Sequence, residues 1–387
     1  MSDVIAFAKR LLSCPSVTPD EAGAIAAIED YLRGKGFRFE VEHTPNGTTN
    51  AWITHGSGAP LFVFGGHVDV VSPGELSAWT TPPFEPTERD GKLYARGSSD
   101  MKGSVAAAVV SFGRFVDAHP DHKGTIALLI TSDEEGDGFE GTMRVVDTLK
   151  ARGTKIDWCI VGEPSCSKRF GDTIKNGRRG SLNCTLTVYG KQGHVAYPQL
   201  AQNPIHLAAP LLVDYTTRIW DEGTKDFAPT SFQISNIHAG EGVVNIIPAK
   251  VDITFNIRYN TCWSEAELIA EVEAMARKRG LSVEFAWRRS TSRPFVTEPG
   301  AMVRVLSKAI EEVAGVSPTM NTAGGTSDAR FISTISGETV EFGPTNATIH
   351  SINECVGLDE LEGLEEIYFR TLEGLFCPDE AADKRAL

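Results

Sequence analysis

The feature that most constrains the fold is an alternation of short apolar runs with helical patterns over residues 1–162. The apolar runs cover 61–64, 125–131 and 157–161, and the helical patterns cover 22–33, 102–117 and 142–152. Runs of this length are typical of buried strands, and their alternation with helices predicts an α/β sheet. In such a sheet, ligands bind at the loops that follow the strands.

From about residue 179 the pattern changes to strand, helix, two strands, helix and strand, which is typical of a ferredoxin-like unit. The strands are predicted at 181–189, 231–237, 250–259 and 282–287, and the first helix at 204–219. Ser264 and Glu267 form a capping box at the start of the second helix, and Gly280 follows its end. After residue 293 the α/β pattern returns. We therefore expect a discontinuous mixed-sheet α/β domain (1–179 and 293–387) interrupted by an α+β ferredoxin-like domain (180–292).

Charge and cysteine content exclude several classes of protein. Lys and Arg number 37 against 51 Asp and Glu, and the formal net charge of −14 would repel phosphate backbones and anionic lipid. We therefore expect neither nucleic-acid nor membrane partners. The seven cysteines include no CxxC pair, which argues against a disulfide framework and a thiolate metal site. With no signal-peptide pattern and no apolar run near the roughly 20 residues of a membrane-spanning helix, a cytoplasmic protein is predicted.

Acidic and imidazole side chains follow the predicted strands of the larger domain. These residues are His67, Asp100, Glu135, Glu163 and, far along the chain, His350. Taken singly, each acid has an ordinary explanation, because Asp100 fits a helix N-cap and the glutamates fit solvated loops. Together at one edge of a sheet, however, the carboxylates would repel one another unless a cation neutralised them.

The composition of this set indicates the type of cation. Two imidazoles and three carboxylates suit zinc, cobalt or manganese better than calcium or a thiolate-bound ion. Five ligands exceed one tetrahedral site with an open position, so we expect two ions that share a carboxylate. Asp69 lies two residues from His67 on the same side of a strand and is expected to orient its imidazole. Glu134 then remains to act as a general base on water.

Five motifs carry a resemblance to a known family. They are GGHVDV (65–70), GSSDMKG (97–103), SDEEG (132–136), VGEPS (161–165) and IHSINE (349–354). In this order, with an inserted ferredoxin-like unit, the chain resembles the co-catalytic zinc metallopeptidase and aminoacylase family over nearly its whole length. The resemblance implies that residues 1–179 and 293–387 form a zinc-aminopeptidase-like catalytic domain with two zinc ions, and that the ferredoxin-like insert (180–292) serves as dimerisation domain and lid. Cobalt could replace zinc in the same ligand set.

The resemblance also implies a role for each site residue. Asp100 would bridge the two ions, with His67 and Glu163 completing one site and Glu135 and His350 the other. Asp69 would orient His67, and Glu134 would be the general base and later the proton donor to the leaving amine. His194 would reach the active site of the partner subunit in a homodimer and stabilise the oxyanion.

Further motifs indicate the substrate. NGRRGSL (176–182), GHVAYP (193–198), FNIRY (255–259) and GGTSDAR (324–330) are most similar to those of members that cleave N-succinyl-L,L-2,6-diaminopimelate to succinate and L,L-2,6-diaminopimelate in lysine biosynthesis. The implied substrate-binding residues are Arg178, Ser181, Tyr197, Asn245, Arg258, Gly325, Thr326 and Asn346. The alternatives are another deacylation, such as that of acetylornithine, and a metallopeptidase-like binding protein without activity.

Two other motifs are weaker. Residues 136–141 match the GxGxxG dinucleotide fingerprint, but the acids in and around this loop would repel a pyrophosphate. Residues 325–329 are similar to the nucleophile elbow of serine hydrolases, yet they lack the final glycine and a convincing preceding strand. We therefore expect neither nicotinamide-dependent chemistry nor a serine nucleophile.

Overall fold

The computed structural model describes residues 2–136, 138–288 and 292–377. The chain divides into two compact units. The first comprises Met1–Gly177, Thr297–Asn321 and Ser327–Leu387, and the second comprises Arg178–Val296 and Thr322–Thr326.

Helices and strands are numbered here in chain order. The helices are α1 (Asp3–Leu12), α2 (Ala24–Leu32), α3 (Lys102–Ala118), α4 (Thr142–Ala151), α5 (Pro204–Thr217), α6 (Glu265–Lys278), α7 (Ala301–Ala314), α8 (Ala329–Ile332) and α9 (Leu358–Phe376). The strands are β1 (Arg38–His43), β2 (Thr49–Ser57), β3 (Leu61–His67), β4 (Thr87–Arg89), β5 (Lys92–Tyr94), β6 (Gly124–Thr131), β7 (Ile156–Val161), β8 (Thr173–Lys175), β9 (Gly177–Arg178), β10 (Gly180–Tyr189), β11 (Gly193–His194), β12 (Ser231–Ala239), β13 (Ile246–Ile247), β14 (Lys250–Tyr259), β15 (Val283–Trp287), β16 (Phe295–Val296), β17 (Thr319–Asn321), β18 (Ser336–Glu341) and β19 (Cys355–Gly357).

The first unit is built on an eight-stranded sheet in the order β1-β2-β6-β3-β7-β18-β8-β17. Strands β6, β3, β7 and β18 pair in parallel, whereas β1 and β2 join the sheet in antiparallel orientation. The predicted mixed-sheet α/β class is therefore confirmed. Because β3, β6 and β7 run in the same direction, their carboxyl ends lie at one edge of the sheet, and the loops after them meet there.

Two glycines near the end of β3 allow helices to approach the strand closely from both faces. A Cβ on Gly65 would lie 2.8 Å from Ile332 of α8, and a Cβ on Gly66 would lie 2.7 Å from Met101, next to α3. Successive strand residues point to opposite faces, so α8 and α3 cover opposite faces of the sheet. Larger residues here would displace the end of β3.

The core of the first unit centres on α3, which is buried along most of its length. Its sequence, KGSVAAAVVSFGRFVDA, is rich in small residues, and α1 and α9 pack against it. The buried cluster continues into the apolar faces of α7 and α9 and the strand residues Phe62, Phe64 and Val340. Among the described helices, none combines the length and the apolarity needed to cross a bilayer.

The second unit contains a four-stranded antiparallel sheet in the order β12-β14-β10-β15. Alternate residues of β10 and β14 are buried and form one core with α5 and α6. The capping box of Ser264 and Glu267 is present at the start of α6, and Gly280 follows its end with φ +67°. The predicted ferredoxin-like order of helices and strands is confirmed.

Candidate metal centre

The parallel strands place three groups of polar side chains at one edge of the sheet. His67 is the last residue of β3, and the N–H of the next residue donates a hydrogen bond to the carbonyl of Thr131 at the end of β6. Glu134 and Glu135 begin three residues after β6. Glu163 follows β7 by two residues, and the intervening glycine donates its N–H to Gly65 of β3. Neighbouring parallel strands therefore bring together side chains that are up to 96 positions apart (163 − 67).

The Asp100 carboxylate lies between two imidazoles. Its Oδ1 is 3.3 Å from Nε2 of His67, and its Oδ2 is 3.3 Å from Nε2 of His350. Asp100 lies two residues before the start of α3 at Lys102, and His350 lies in the loop between β18 and β19. Each carboxylate oxygen thus faces a different histidine, an arrangement suited to a ligand shared by two cations.

Two further carboxylates extend the arrangement on either side. Glu163 Oε1 lies 3.8 Å from Nε2 of His67, and Glu135 Oε1 lies 3.0 Å from Nε2 of His350. One nitrogen or oxygen atom each from His67, Asp100 and Glu135 lie within 4.8 Å of one another. The same holds for His67, Glu134 and Glu163. All six side chains predicted to hold the metals or act as base are therefore brought together in the first unit.

Asp69 makes two kinds of contact near His67. Its main-chain carbonyl accepts a hydrogen bond from Nδ1 of His67 at 2.9 Å, while its carboxylate Oδ1 lies 3.5 Å from the same nitrogen. The carboxylate also accepts the N–H groups of Glu134 and Glu135, at 3.4 and 3.1 Å. Asp69 is thus placed to orient the imidazole, mainly through its carbonyl, and also to fix the loop after β6.

The proximity of imidazoles and carboxylates shifts their pKa values in opposite directions. Burial alone lowers the pKa of His67, but its contacts with Asp100 and Asp69 raise it well above the ordinary value. Hydrogen bonds with Asp100 and Glu135 raise the pKa of His350 to about 10. Burial would raise the pKa of Asp100, yet its contacts with the imidazoles of His350 and His67 hold it well below its usual range.

Glu134 and Glu163 lie where their negative charges are poorly stabilised. Burial raises the pKa of Glu134 well above its ordinary value, and the charges of Asp328 and Glu135 add to this effect. Burial, together with the charges of Asp100 and Glu134, likewise raises the pKa of Glu163. The isolated chain therefore holds these two carboxyl groups in an environment that disfavours their ionised forms.

The donor set fits divalent cations. Nε2 of His67 and Oδ1 of Asp100 are buried and have no hydrogen-bond partner among the described residues, although they face each other at 3.3 Å. A buried polar atom without a partner costs free energy, and a cation between these two atoms would remove that cost. Imidazole and carboxylate ligands are those that zinc and similar ions accept.

Three residues around the site were not predicted from the sequence. Asp328 is 3% exposed and raises the pKa of Glu134, while the positive charge of Arg330 lowers it. Glu354 is fully buried and accepts the N–H of Asp100. Asp328 and Arg330 lie in GGTSDAR, a motif that indicated the substrate, and Glu354 lies in IHSINE, a motif that indicated the family, but the sequence pattern gave these positions no specific role.

Several predicted substrate-binding residues cluster in the second unit. Ser181 of β10 and Arg258 of β14 are directly opposite each other in the sheet. Arg178 donates from Nη1 to the carbonyl of Ala323 at 2.6 Å, in the loop that contains Gly325 and Thr326. Burial lowers the pKa of Arg258, and the positive charges of Arg179 and Arg178 lower it further.

The other predicted residues are found in two places. In the second unit, the exposed rings of His194 and Tyr197 meet edge to face with centroids 5.8 Å apart. Asn245 accepts the N–H of Val195 with its main-chain carbonyl, beside the β11–β13 pair that contains His194. In the first unit, the N–H of Asn346 donates to the carbonyl of Cys166.

Sequence comparison relates the chain to known enzymes. Residues 63–374 match the model of the peptidase family M20/M25/M40. The chain is 52% identical over 374 residues to a succinyl-diaminopimelate desuccinylase of Thiobacillus denitrificans, covering 97% of this chain and 95% of that protein. It is 50% identical over 377 residues to a succinyl-diaminopimelate desuccinylase of Xylella fastidiosa strain M12, covering 97% and 100%.

Solved structures share the fold at low sequence identity. The M20 family metallo-carboxypeptidase Sso-CP2 of Sulfolobus solfataricus superimposes with a TM-score of 0.80 at 18% identity, covering 96% of this chain and 99% of that one. The YXEP protein of Bacillus subtilis, described as a dinuclear metal binding peptidase, gives a TM-score of 0.70 at 16% identity, covering 96% and 97%.

The position of Asp100 between the histidines predicts the metal content of two variants. We expect about two divalent ions per wild-type chain, one in His350→Ala, and fewer than one in Asp100→Ala, because a shared Asp100 would contribute to both ion positions. The measurement is elemental analysis after dialysis against metal-free buffer. Asp90→Ala, which removes an exposed carboxylate, should retain two ions. An Asp100→Ala protein that still held two ions would refute the shared position.

Proposed function

Since the chain belongs to the peptidase family M20/M25/M40, we propose that it is a metal-dependent hydrolase that cleaves N-succinyl-L,L-2,6-diaminopimelate to succinate and L,L-2,6-diaminopimelate. The reaction hydrolyses a linear amide and serves lysine and diaminopimelate biosynthesis. The observation that carries the proposal is the pair of imidazoles on either side of Asp100, in a chain about half identical to desuccinylases over nearly its full length.

We assign two divalent ions to the site, zinc by preference, with cobalt able to replace it. His67, Asp100 and Glu163 would hold one ion, and Asp100, Glu135 and His350 the other. When bound, the ions supply Lewis acidity toward the amide carbonyl oxygen. Support for this assignment comes from the unpartnered Nε2 of His67 and Oδ1 of Asp100.

Glu134 is the proposed general base and acid. Its carboxylate takes a proton from the water whose oxygen attacks the amide carbon, and it later gives that proton to the departing nitrogen as the C–N bond breaks. A carboxylate oxygen of Glu134 lies within 4.8 Å of a ring nitrogen of His67 and of a carboxylate oxygen of Glu163. The Glu134 carboxylate is therefore close to the proposed reaction site.

The arginine cluster of the second unit is the proposed binding site for substrate carboxylates. Burial, and to a smaller extent the positive charges of Arg179 and Arg178, lower the pKa of Arg258. Its Nη1 is buried without a hydrogen-bond partner in the described residues. A carboxylate would relieve both costs through bidentate contacts. Ser181, Gly325 and Thr326 would line the same site, and Tyr197, Asn245 and Asn346 would contact the remainder of the substrate.

Substrate choice separates this proposal from deacetylation. An N-acetyl group lacks the free carboxylate of an N-succinyl group. Arginines that bind this carboxylate would therefore be left without a partner. We expect kcat/KM for N-succinyl-L,L-2,6-diaminopimelate to exceed that for N-acetylornithine by roughly 100-fold or more. Arg258→Met should raise the KM by roughly 10-fold or more with a smaller change in kcat, because a charge-assisted contact is lost.

The assay follows the release of succinate or acetate by the zinc-loaded protein. Arg277→Met is the matched control, since Arg277 lies on α6 in an exposed pair with Glu273. Its kinetic constants should be unchanged. Comparable kcat/KM values for the two substrates would refute the substrate assignment while leaving the family intact.

We propose that the active form is a homodimer assembled through the second unit. Strand β12 is an edge of its sheet, and an unpaired edge is open to pairing with a second copy. Apolar side chains are exposed on neighbouring elements: Ile237 of β12 by 54%, Val213 of α5 by 58% and Val244 before β13 by 94%. We propose that these side chains contribute to one partner-binding surface, because contiguous exposed apolar patches mark such surfaces. His194, also exposed in this unit, would stabilise the oxyanion in the partner's site.

A cytoplasmic location completes the proposal. The cysteines in the described part of the chain form no disulfide. Burial raises the pKa of the Cys159 thiol and raises that of Cys166 to about 11, which keeps both thiols protonated and unreactive. These features suit a reducing compartment.

Mixing two inactive variants tests whether His194 acts across the dimer. His194→Ala and Glu134→Gln should each lose at least roughly 100-fold in kcat. In a mixed dimer, one site would then combine an intact Glu134 with an intact His194 from the partner, so activity should return after subunit exchange. Mixing two preparations of the same variant is the control. If His194 acted within its own chain, both sites of the mixed dimer would stay defective.

A further inference from the structure

Glu354 is fully buried, and its carboxylate accepts four hydrogen bonds from residues 96–100, the segment that ends in Asp100. Its Oε1 accepts the N–H groups of Ser99 and Asp100 at 2.9 and 3.0 Å. Its Oε2 accepts the N–H of Gly97 at 3.0 Å and Nη1 of Arg96 at 2.8 Å. Three main-chain donors and one guanidinium therefore converge on a single side chain that the proposed reaction does not use.

The same residue also fixes the segment that contains His350. Its main-chain carbonyl accepts the N–H of Ala95, and Arg96 donates from Nη1 to the carbonyl of Ser351 at 3.2 Å. His350 and Asn353 adopt the left-handed conformation, with φ of 57° and 61°. Non-glycine residues keep this conformation only where surrounding contacts impose it. Glu354 and its partners supply such contacts within four residues of His350.

From these contacts we infer that Glu354 is a positioning residue that holds the Asp100 loop against the His350 loop before any cation binds. The inference rests on the proposed dinuclear site. We call the position of His67, Asp100 and Glu163 the first ion position and that of Asp100, Glu135 and His350 the second. Asp100 and His350 both belong to the second position, and their facing atoms are 3.3 Å apart. His67 and Glu163, by contrast, are placed at the ends of β3 and β7 by the sheet. Loss of Glu354 therefore weakens the second ion position more than the first.

The chain contains a matched control for this role. Glu338 also accepts main-chain N–H groups with both carboxylate oxygens, from Gly300, Met302 and Val303 at the start of α7. None of these donors belongs to a segment with a proposed ligand. Glu338→Gln therefore removes a similar set of hydrogen bonds without touching the metal centre.

The test is a cobalt titration of metal-free full-length protein, followed by calorimetry and visible absorption. In Glu354→Gln the cobalt ion at the position of Glu135 and His350 should bind roughly 10- to 100-fold more weakly, as for loss of other groups that orient metal ligands. The ion at the position of His67 and Glu163 should change less. Glu338→Gln should bind both ions like the wild type, even if its melting temperature falls. Unchanged binding at the second ion position in Glu354→Gln, or equal weakening at both positions, would overturn the inference.

A second measurement needs no variant. In metal-free wild-type protein, amide hydrogen exchange at Gly97, Ser99 and Asp100 should already be slow and change little on addition of cobalt. Fast exchange that becomes slow only with cobalt would overturn the inference. A wild-type protein that bound fewer than two cobalt ions would overturn the dinuclear site itself, which distinguishes failure of the proposed function from failure of the Glu354 role.

Discussion

The contact on which the site depends is that of one carboxylate with two imidazoles. Asp100 presents one oxygen to His67 and the other to His350, each at 3.3 Å. The rest of the first unit places these three groups: β3 ends in His67, α3 begins just after Asp100, and Glu354 connects the loops that contain Asp100 and His350. Gly65 and Gly66 serve the same end, because they let helices pack closely against the strand that presents His67.

The buried charged groups of the site lower the stability of the ligand-free fold and favour the binding of ligands of opposite charge. Burial raises the pKa of Glu134 and of Glu163, so the fold holds carboxyl groups where their charged forms are disfavoured. A similar conflict exists among the arginines of the second unit, where burial and neighbouring positive charges lower the pKa of Arg258. In each case the proposed ligand of opposite charge would remove the conflict: cations in the first unit and a substrate carboxylate in the second. Buried groups whose pKa values are strongly shifted are more typical of functional sites than of residues that only pack the core.

The parts of the site that follow from local pattern could be predicted from the sequence. Apolar runs located β3, β6 and β7, and the residues after them were therefore expected at one edge of a sheet. The capping box of Ser264 and Glu267 was equally local. Glu354 could not be predicted in the same way, because it bonds to Asp100 across 254 positions and no periodic pattern connects them. The hydrogen bond from His67 to the main-chain carbonyl of Asp69 could not be predicted either. A pattern of side chains does not show which main-chain groups form hydrogen bonds.

The most direct test of the account is anomalous diffraction from crystals of the zinc-loaded protein, measured on both sides of the zinc absorption edge. If Asp100 is shared by two ions, there will be two peaks per chain, one within coordination distance of each oxygen of Asp100. The first should also contact His67 and Glu163, and the second Glu135 and His350. A single peak, or two peaks of which only one contacts Asp100, would contradict the shared carboxylate on which the proposed chemistry depends.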